Sequence, residues 1–292
     1  MEAREFVLGE RRQQEWGALV ITALFLTGTG SGLFLLALPA GFALGMAVGV
    51  VLVMSGSLCL LLDLSRRLAA WRMIARPQSS WVSRGVIGIS SFVVLGFFYI
   101  AFLVQEPHGW SSLGAPWVGG PGWMMGWGFL AGLAALFVAA YPGFVLGSMR
   151  SITFWNSAYV PALFLVSALL GGFGVLYLLP LDWQGLAWLP FIKNIGLVLV
   201  IFELILILGL TWLALPGACR DSVNLLTQGS LRYHFFIGLL GLGIILPLVL
   251  LGLVSLGVGV LSFLLIEGVL HIIGVFFLRY IILSAGVHGS IH

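Results

Sequence analysis

Charge is what this sequence has least of. Asp, Glu, Lys and Arg make up 8% of its 292 residues, against about 25% in an ordinary soluble domain. That shortage excludes a water-soluble globular fold, which would need far more polar surface. Disorder is excluded as well, because 61% of the residues are hydrophobic and a disordered chain has few apolar residues and many charges. Cysteine is nearly absent: Cys59 and Cys219 are the only two. Two thiols cannot supply a four-cysteine cluster, so no iron–sulfur centre of that kind is expected in this chain. Lysine is rarer still, with Lys193 alone. Glycine is plentiful, at 40 residues. It follows no G-X-Y period and sits inside apolar runs, where membrane helices use it for close packing.

What is present reads as a polytopic α-helical membrane protein. A spanning helix needs about 20 mainly apolar residues. Eight such runs occur, at roughly 17–38, 41–62, 86–104, 124–148, 159–179, 195–215, 234–256 and 259–283. The expected fold is all-α: eight transmembrane helices in two packed four-helix groups, a single membrane domain over 1–292. The first run has no basic stretch with a small-residue cleavage site and is too long for a signal peptide, so it reads as a retained span. An even number of spans puts both termini on one side. Arg4, Arg11, Arg12, Arg66, Arg67, Arg72, Arg76, Arg84, Arg150, Arg220, Arg232 and Arg279 all fall on that terminal side, against Lys193 on the other. By the positive-inside rule the terminal side is cytoplasmic. The same arginines suit an acidic partner or anionic lipid, and no nucleic-acid partner is expected. All 11 tryptophans fall near span ends, where an indole is half dry and its N–H finds a partner.

Ionisable groups inside the spans need a reason, because a carboxylate at a span centre costs about 2.5–3.5 kcal/mol on insertion scales. Glu203 lies in the sixth span. Glu267 and His271 lie in the eighth, four apart and therefore on one helical face. Both glutamates are expected roughly 12 Å below the outer surface. The three groups read either as a ladder for protons entering from outside or as neutral carboxyls hydrogen-bonded between helices. On the terminal side, Asp63 ends the second span and Tyr141-Pro142-Gly143 interrupts the fourth, with Arg66 and Arg150 at similar depth. Proline removes a backbone donor, so a loosened helix is expected there. A hydroxyl, a carboxylate and a guanidinium around a bend suit a polar ligand at the membrane surface. Asp63 taken alone reads as an interfacial residue paired with Arg66. No two of the five histidines match in depth on different spans, so no haem is expected; nor is a metal site.

Several stretches resemble the NrfD/PsrC family, the integral-membrane subunits of polysulfide reductase-type complexes. They are EWGALVITALFLTGTGSGLFLLA (15–37), Asp63-Leu64-Ser65-Arg66 with Arg76-Pro77 and Ser80-Trp81 after it, and Tyr141 to Gly143 followed by Phe154-Trp155-Asn156. PALFLVSALLGG (161–172) and FFLRYIILSAG (276–286) complete the set. The resemblance implies a quinone- or quinol-binding membrane anchor of a multi-subunit oxidoreductase. The quinone, menaquinone or ubiquinone, would bind near the partner side, with Tyr141 and Asp63 at the site and Arg66 beside them. The family's polar helix-one positions are here Val20 and Ala23, with Thr22 the nearest polar substitute. The implied partners are a four-cluster ferredoxin-like subunit, docked on Arg72, Arg76, Arg84 and Arg150, and a catalytic subunit with a bis-pterin molybdenum or tungsten cofactor. The implied place is the cytoplasmic membrane of a prokaryote. Glu203, Glu267 and His271 would carry protons if turnover is electrogenic. A proton-coupled small-solute transporter is the alternative that midplane carboxylates and glycine-rich helices also fit.

Overall fold

The computed structural model describes residues 13, 16–64, 78, 80–105, 121–180, 189–213, 219–256 and 260–287. Their regular structure is helical throughout: α1 (Ala18–Ala37), α2 (Ala43–Asp63), α3 (Trp81–Gln105), α4 (Pro121–Gly147), α5 (Tyr159–Leu178), α6 (Leu189–Leu213), α7 (Arg220–Thr227), a π-helical segment (His234–Ile245) continuing into α8 (Leu246–Ser255), and α9 (Val260–Ser284). Eight helices among the described residues are long and apolar enough to cross a membrane. With no water in a bilayer core, every backbone group there must be satisfied within its own segment, and helices do this.

Two stretches differ from expectation. Between the sixth and seventh apolar runs lies α7, whose Val223 and Leu226 are buried on one face while Asp221 stands in the first turn. Apolar residues three apart are enough to seat one short amphipathic helix. The seventh span starts as a π-helix and becomes α-helical around Pro247, which stands in the first turn of α8, where its missing N–H leaves no bond unmade. By contrast, Pro142 does not break α4, which runs through it.

Helix α1 is the hub: α2, α4, α5 and α9 all pack on it. Its glycines explain how. A Cβ on Gly30 would lie 2.5 Å from the Gly49 carbonyl of α2, and one on Gly32 would overlap the Ala168 carbonyl of α5. Two faces of one helix thus meet backbone directly, the close approach that small residues allow between membrane helices. Helices α5 and α9 cross in the same way, with Gly174 and Gly268 facing each other's carbonyls.

The two ends of the described residues meet at one end of the bundle, here called the terminal end. Gln13 N–H donates to the Gly286 carbonyl (3.0 Å), and Gln13 Nε2 to the Leu283 carbonyl (3.0 Å). Trp155 Nε1 donates to the Ile282 carbonyl at 2.7 Å. The last carbonyls of a helix have no partner within it; here side chains from the N-terminal segment and from the turn before α5 supply them. Sequence position puts Trp155 at the headgroup level, yet it is fully buried.

Candidate functional site

Tyr141 sits on α4 near the terminal end. Its ring is buried and stacks on Phe137, with centroids 5.7 Å apart and planes 12° from parallel. Helix α3 presents Gly85 to it: a Cβ there would overlap the Tyr141 ring, with Cζ 2.8 Å away. One turn on, Phe144 is half exposed and parallel to Trp81 of α3, at 5.7 Å and 7°. The Arg84 guanidinium lies 4.7 Å from the Trp81 ring centre and donates to the Gln78 carbonyl (2.8 Å). The seam between α3 and α4 is therefore lined by flat rings, one phenol and one cation at its rim. These residue types suit a planar aromatic ring with carbonyl oxygens, and the Gly85 cradle is what lets the phenol lie there.

Asp63 is the last residue of α2 and is exposed. A carboxylate at a helix C-terminus opposes the macrodipole by about 0.3–1 kcal/mol, so helix stability does not account for it. Helices α2 and α4 pack on α1 and α3 rather than on each other, and among the described residues no hydrogen bond joins Asp63 to Tyr141. Thr22 is half-buried on α1 and Arg150 is exposed just after α4. Arg66, Arg72 and Arg76 lie outside the described residues.

A second polar group lies deep in the bundle. Glu203, Glu267 and His271 are all buried. His271 Nδ1 is 2.9 Å from the Glu267 carbonyl and 3.8 Å from its Oε1. Glu203 lies 14 residues after the start of α6 and Glu267 seven after the start of α9 (203 − 189 and 267 − 260). Sequence reasoning misplaced one residue here. Arg279, counted with the terminal-side cations, is wholly buried in α9. Its guanidinium lies 3.7 Å from the Phe164 ring centre, and Nη2 donates to the Phe164 carbonyl at 3.0 Å. Among the described residues no ion pair within 4 Å joins Glu203 to Arg279. The signal was present, since position 279 falls inside the eighth apolar run.

Cys59 and Cys219 are free thiols. Burial pushes the Cys219 thiol above the ordinary cysteine range, away from the thiolate that metal ligation needs. Among the described residues no group of three or more His, Cys, Asp or Glu is placed to hold a metal ion.

Known proteins give this arrangement a context. Protein NrfD of Escherichia coli K12 is 27% identical over 303 aligned positions, covering 93% of this sequence and 94% of its own length. The C subunit of polysulfide reductase from Wolinella succinogenes is 28% identical over 273, covering 83% of this sequence and 80% of its own. The family profile described as "Polysulphide reductase, NrfD" matches residues 7–288. With nearly every residue of its length inside that match, the chain belongs to the NrfD family.

Proposed function

We propose that this protein is the quinone- or quinol-binding membrane anchor of a multi-subunit oxidoreductase. The observation that supports it most is the Tyr141 phenol set against Gly85 between flat rings at one end of the bundle, in a member of a family that includes a component of polysulfide reductase. A bound quinone supplies a two-electron, two-proton couple. Tyr141 donates a hydrogen bond to a ring carbonyl, and Phe137, Phe144 and Trp81 keep the slot dry. Arg84 stands as the positive rim. Asp63, at the water-facing end of α2, gives or takes protons through solvent, as a general acid or base must from within one water of its partner; Arg66 and Thr22 complete the polar surroundings.

Electrons pass to a four-cluster ferredoxin-like subunit docked on Arg72, Arg76, Arg84 and Arg150. That subunit leads to a catalytic subunit with a molybdenum or tungsten bis-pterin centre. The arginine-rich terminal end faces the cytoplasm, by the positive-inside rule, and the eight spans form two four-helix groups that meet through α1 and α5. Glu267, His271 and Glu203 form a route for protons from the opposite face. Tyr141→Phe removes one hydrogen-bond donor from the slot and should lower quinol-linked turnover about tenfold, with assembly unchanged. Turnover at the wild-type level would overturn the site. A protein that purifies without partners and moves a solute would favour a transporter instead.

A further inference from the structure

The spans pack in a pattern that repeats. In the first half α1 packs on α2, α2 on α3, α3 on α4, and α4 back on α1. In the second half α5 packs on α6, α6 and α9 both pack on the span formed by the π-helical segment and α8, and α9 returns to α5. The halves join through α1 with α5, α4 with α5 and α1 with α9. Exchanging one half for the other leaves every pairing in place. Equivalent helices are four spans apart and so run the same way, as in a parallel repeat about an axis along the membrane normal. The place of α4 is thus taken by α9 in the second half, and that of α3 by the seventh span.

The two equivalent seams are built alike. Trp81 opens α3, and four residues on Gly85 lies against the Tyr141 ring of α4. His234 opens the seventh span, and four residues on Gly238 lies against the Phe277 ring of α9, where a Cβ would stand 2.7 Å from Cγ. Phe137 and Tyr141 are four apart on α4, Phe276 and Tyr280 four apart on α9, each pair on one helical face. A guanidinium covers a ring at both seams: Arg84 lies 4.7 Å from the Trp81 ring centre and Arg232 4.9 Å from that of Tyr233. In the second seam the His234 imidazole stands 5.1 Å from the Tyr280 ring centre and 5.9 Å from that of Phe277. Its Nδ1 is shielded and meets no hydrogen-bond partner among the described residues, although buried polar atoms almost always have one. The helix it opens is π-wound over His234–Ile245, a rare form that is frequent at functional sites. Tyr280 is one turn from the terminal end of α9, so the seam opens at the same end of the bundle as Tyr141.

We infer that the seam between the π-helical segment and α9 is a second binding site, for a planar ring with carbonyl oxygens, of the quinone class. His234 and Tyr280 are its polar contacts: an imidazole N–H and a phenol O–H each donate to a ring carbonyl. Phe277 supplies a flat apolar wall. Phe276, exposed on α9 with its ring 6.2 Å from that of Phe277, faces lipid and takes the apolar tail. The ligand is a ring rather than a lipid phosphate, because the cation at this seam is already engaged: Arg232 Nη2 donates to the Tyr233 hydroxyl at 3.1 Å.

The ligand class rests on the quinone reading proposed for the first seam, and photolabelling separates the two. The probe is a short-tailed azido-ubiquinone, applied to the purified native complex with and without an excess of decylubiquinone, and the labelled peptides are mapped. Displaceable label on the π-helical segment or α9 supports the second site. Label on α3 and α4 alone overturns it and leaves the first site standing. Label on the second seam alone supports it and overturns the site at Tyr141. No displaceable label anywhere overturns both. Label at the second seam that phosphatidylglycerol displaces and decylubiquinone does not makes it a lipid headgroup site and overturns the ring. His234→Phe and Tyr280→Phe each keep a ring and remove one hydrogen-bond donor. Each should weaken labelling of the second seam about three- to tenfold, with labelling of α3 and α4 as in wild type. If His234→Phe fails to assemble, Tyr280→Phe decides, and unchanged labelling there overturns the site.

Discussion

At the scale of single residues, the two glycines opposite Tyr141 and Arg279 matter more than their size suggests. A Cβ at Gly85 would overlap the Tyr141 ring, and one at Gly28 would lie 3.0 Å from Arg279 Nη2. Gly85→Ala should push the Tyr141 ring aside, since overpacking a filled seam costs about 1–3 kcal/mol and a misplacement of about 1 Å at a reacting group costs about 100-fold. The expected outcome is a quinol-linked rate lowered about 10- to 100-fold in a complex that still assembles, read by steady-state turnover beside native gel migration. A rate near wild type would mean that Tyr141 need not be held there. Tyr141 itself was legible from sequence because it precedes Pro142 and Gly143 in an apolar run. Gly85 was not, since nothing in a one-dimensional pattern says which ring lies across from a glycine.

At the scale of elements, the end of α9 is the feature that sequence patterning missed. Three carbonyls at this end accept from Gln13 and Trp155. Trp155→Phe keeps a ring in the buried site but removes the donor to Ile282. A buried carbonyl left without a partner costs about 1–3 kcal/mol, so the purified complex should unfold at lower temperature while its turnover at low temperature is unchanged. Equal thermal midpoints would show that water replaces the indole N–H. The spans themselves were legible to within a few residues, because about 20 apolar residues in a row have one outcome in a bilayer. The start of α6 lies six residues before the position that hydropathy suggests. The π-helical turns at His234–Ile245 were not legible at all. They depend on how Gly238 and Gly243 meet Phe277 and Gly274 of α9, which is a property of two helices and not of one.

At the scale of the whole molecule, the ring-lined seam at Tyr141 lies at one end of the bundle and Glu203, Glu267 and His271 are buried within it, which is the layout that the proposed sharing of electron transfer and proton movement requires. Glu267→Gln removes one titratable group of the proposed proton route and leaves the seam around Tyr141 untouched. It should abolish potential formation in vesicles while quinone binding, measured by titration of the isolated complex, stays as in wild type. An unchanged potential would remove Glu267 from any proton route. The family was legible from the order and spacing of five short stretches, none of them specific alone. The proposed cytoplasmic orientation of the terminal end rests on arginine asymmetry, because charge that must stay in water reports which loops are never carried across.

Sequence alone determined the class, the eight spans and the family, since each follows from composition and local order along the polypeptide. Tertiary structure decided where Arg279 and Trp155 lie. Both stand close to a span end, and by that rule both belong in the headgroup region. Whether a residue there faces lipid, water or another helix depends on which helices cross beside it and how near small residues let them come. Here α1 and α5 come close enough to enclose a guanidinium that one-dimensional reading had left at the surface.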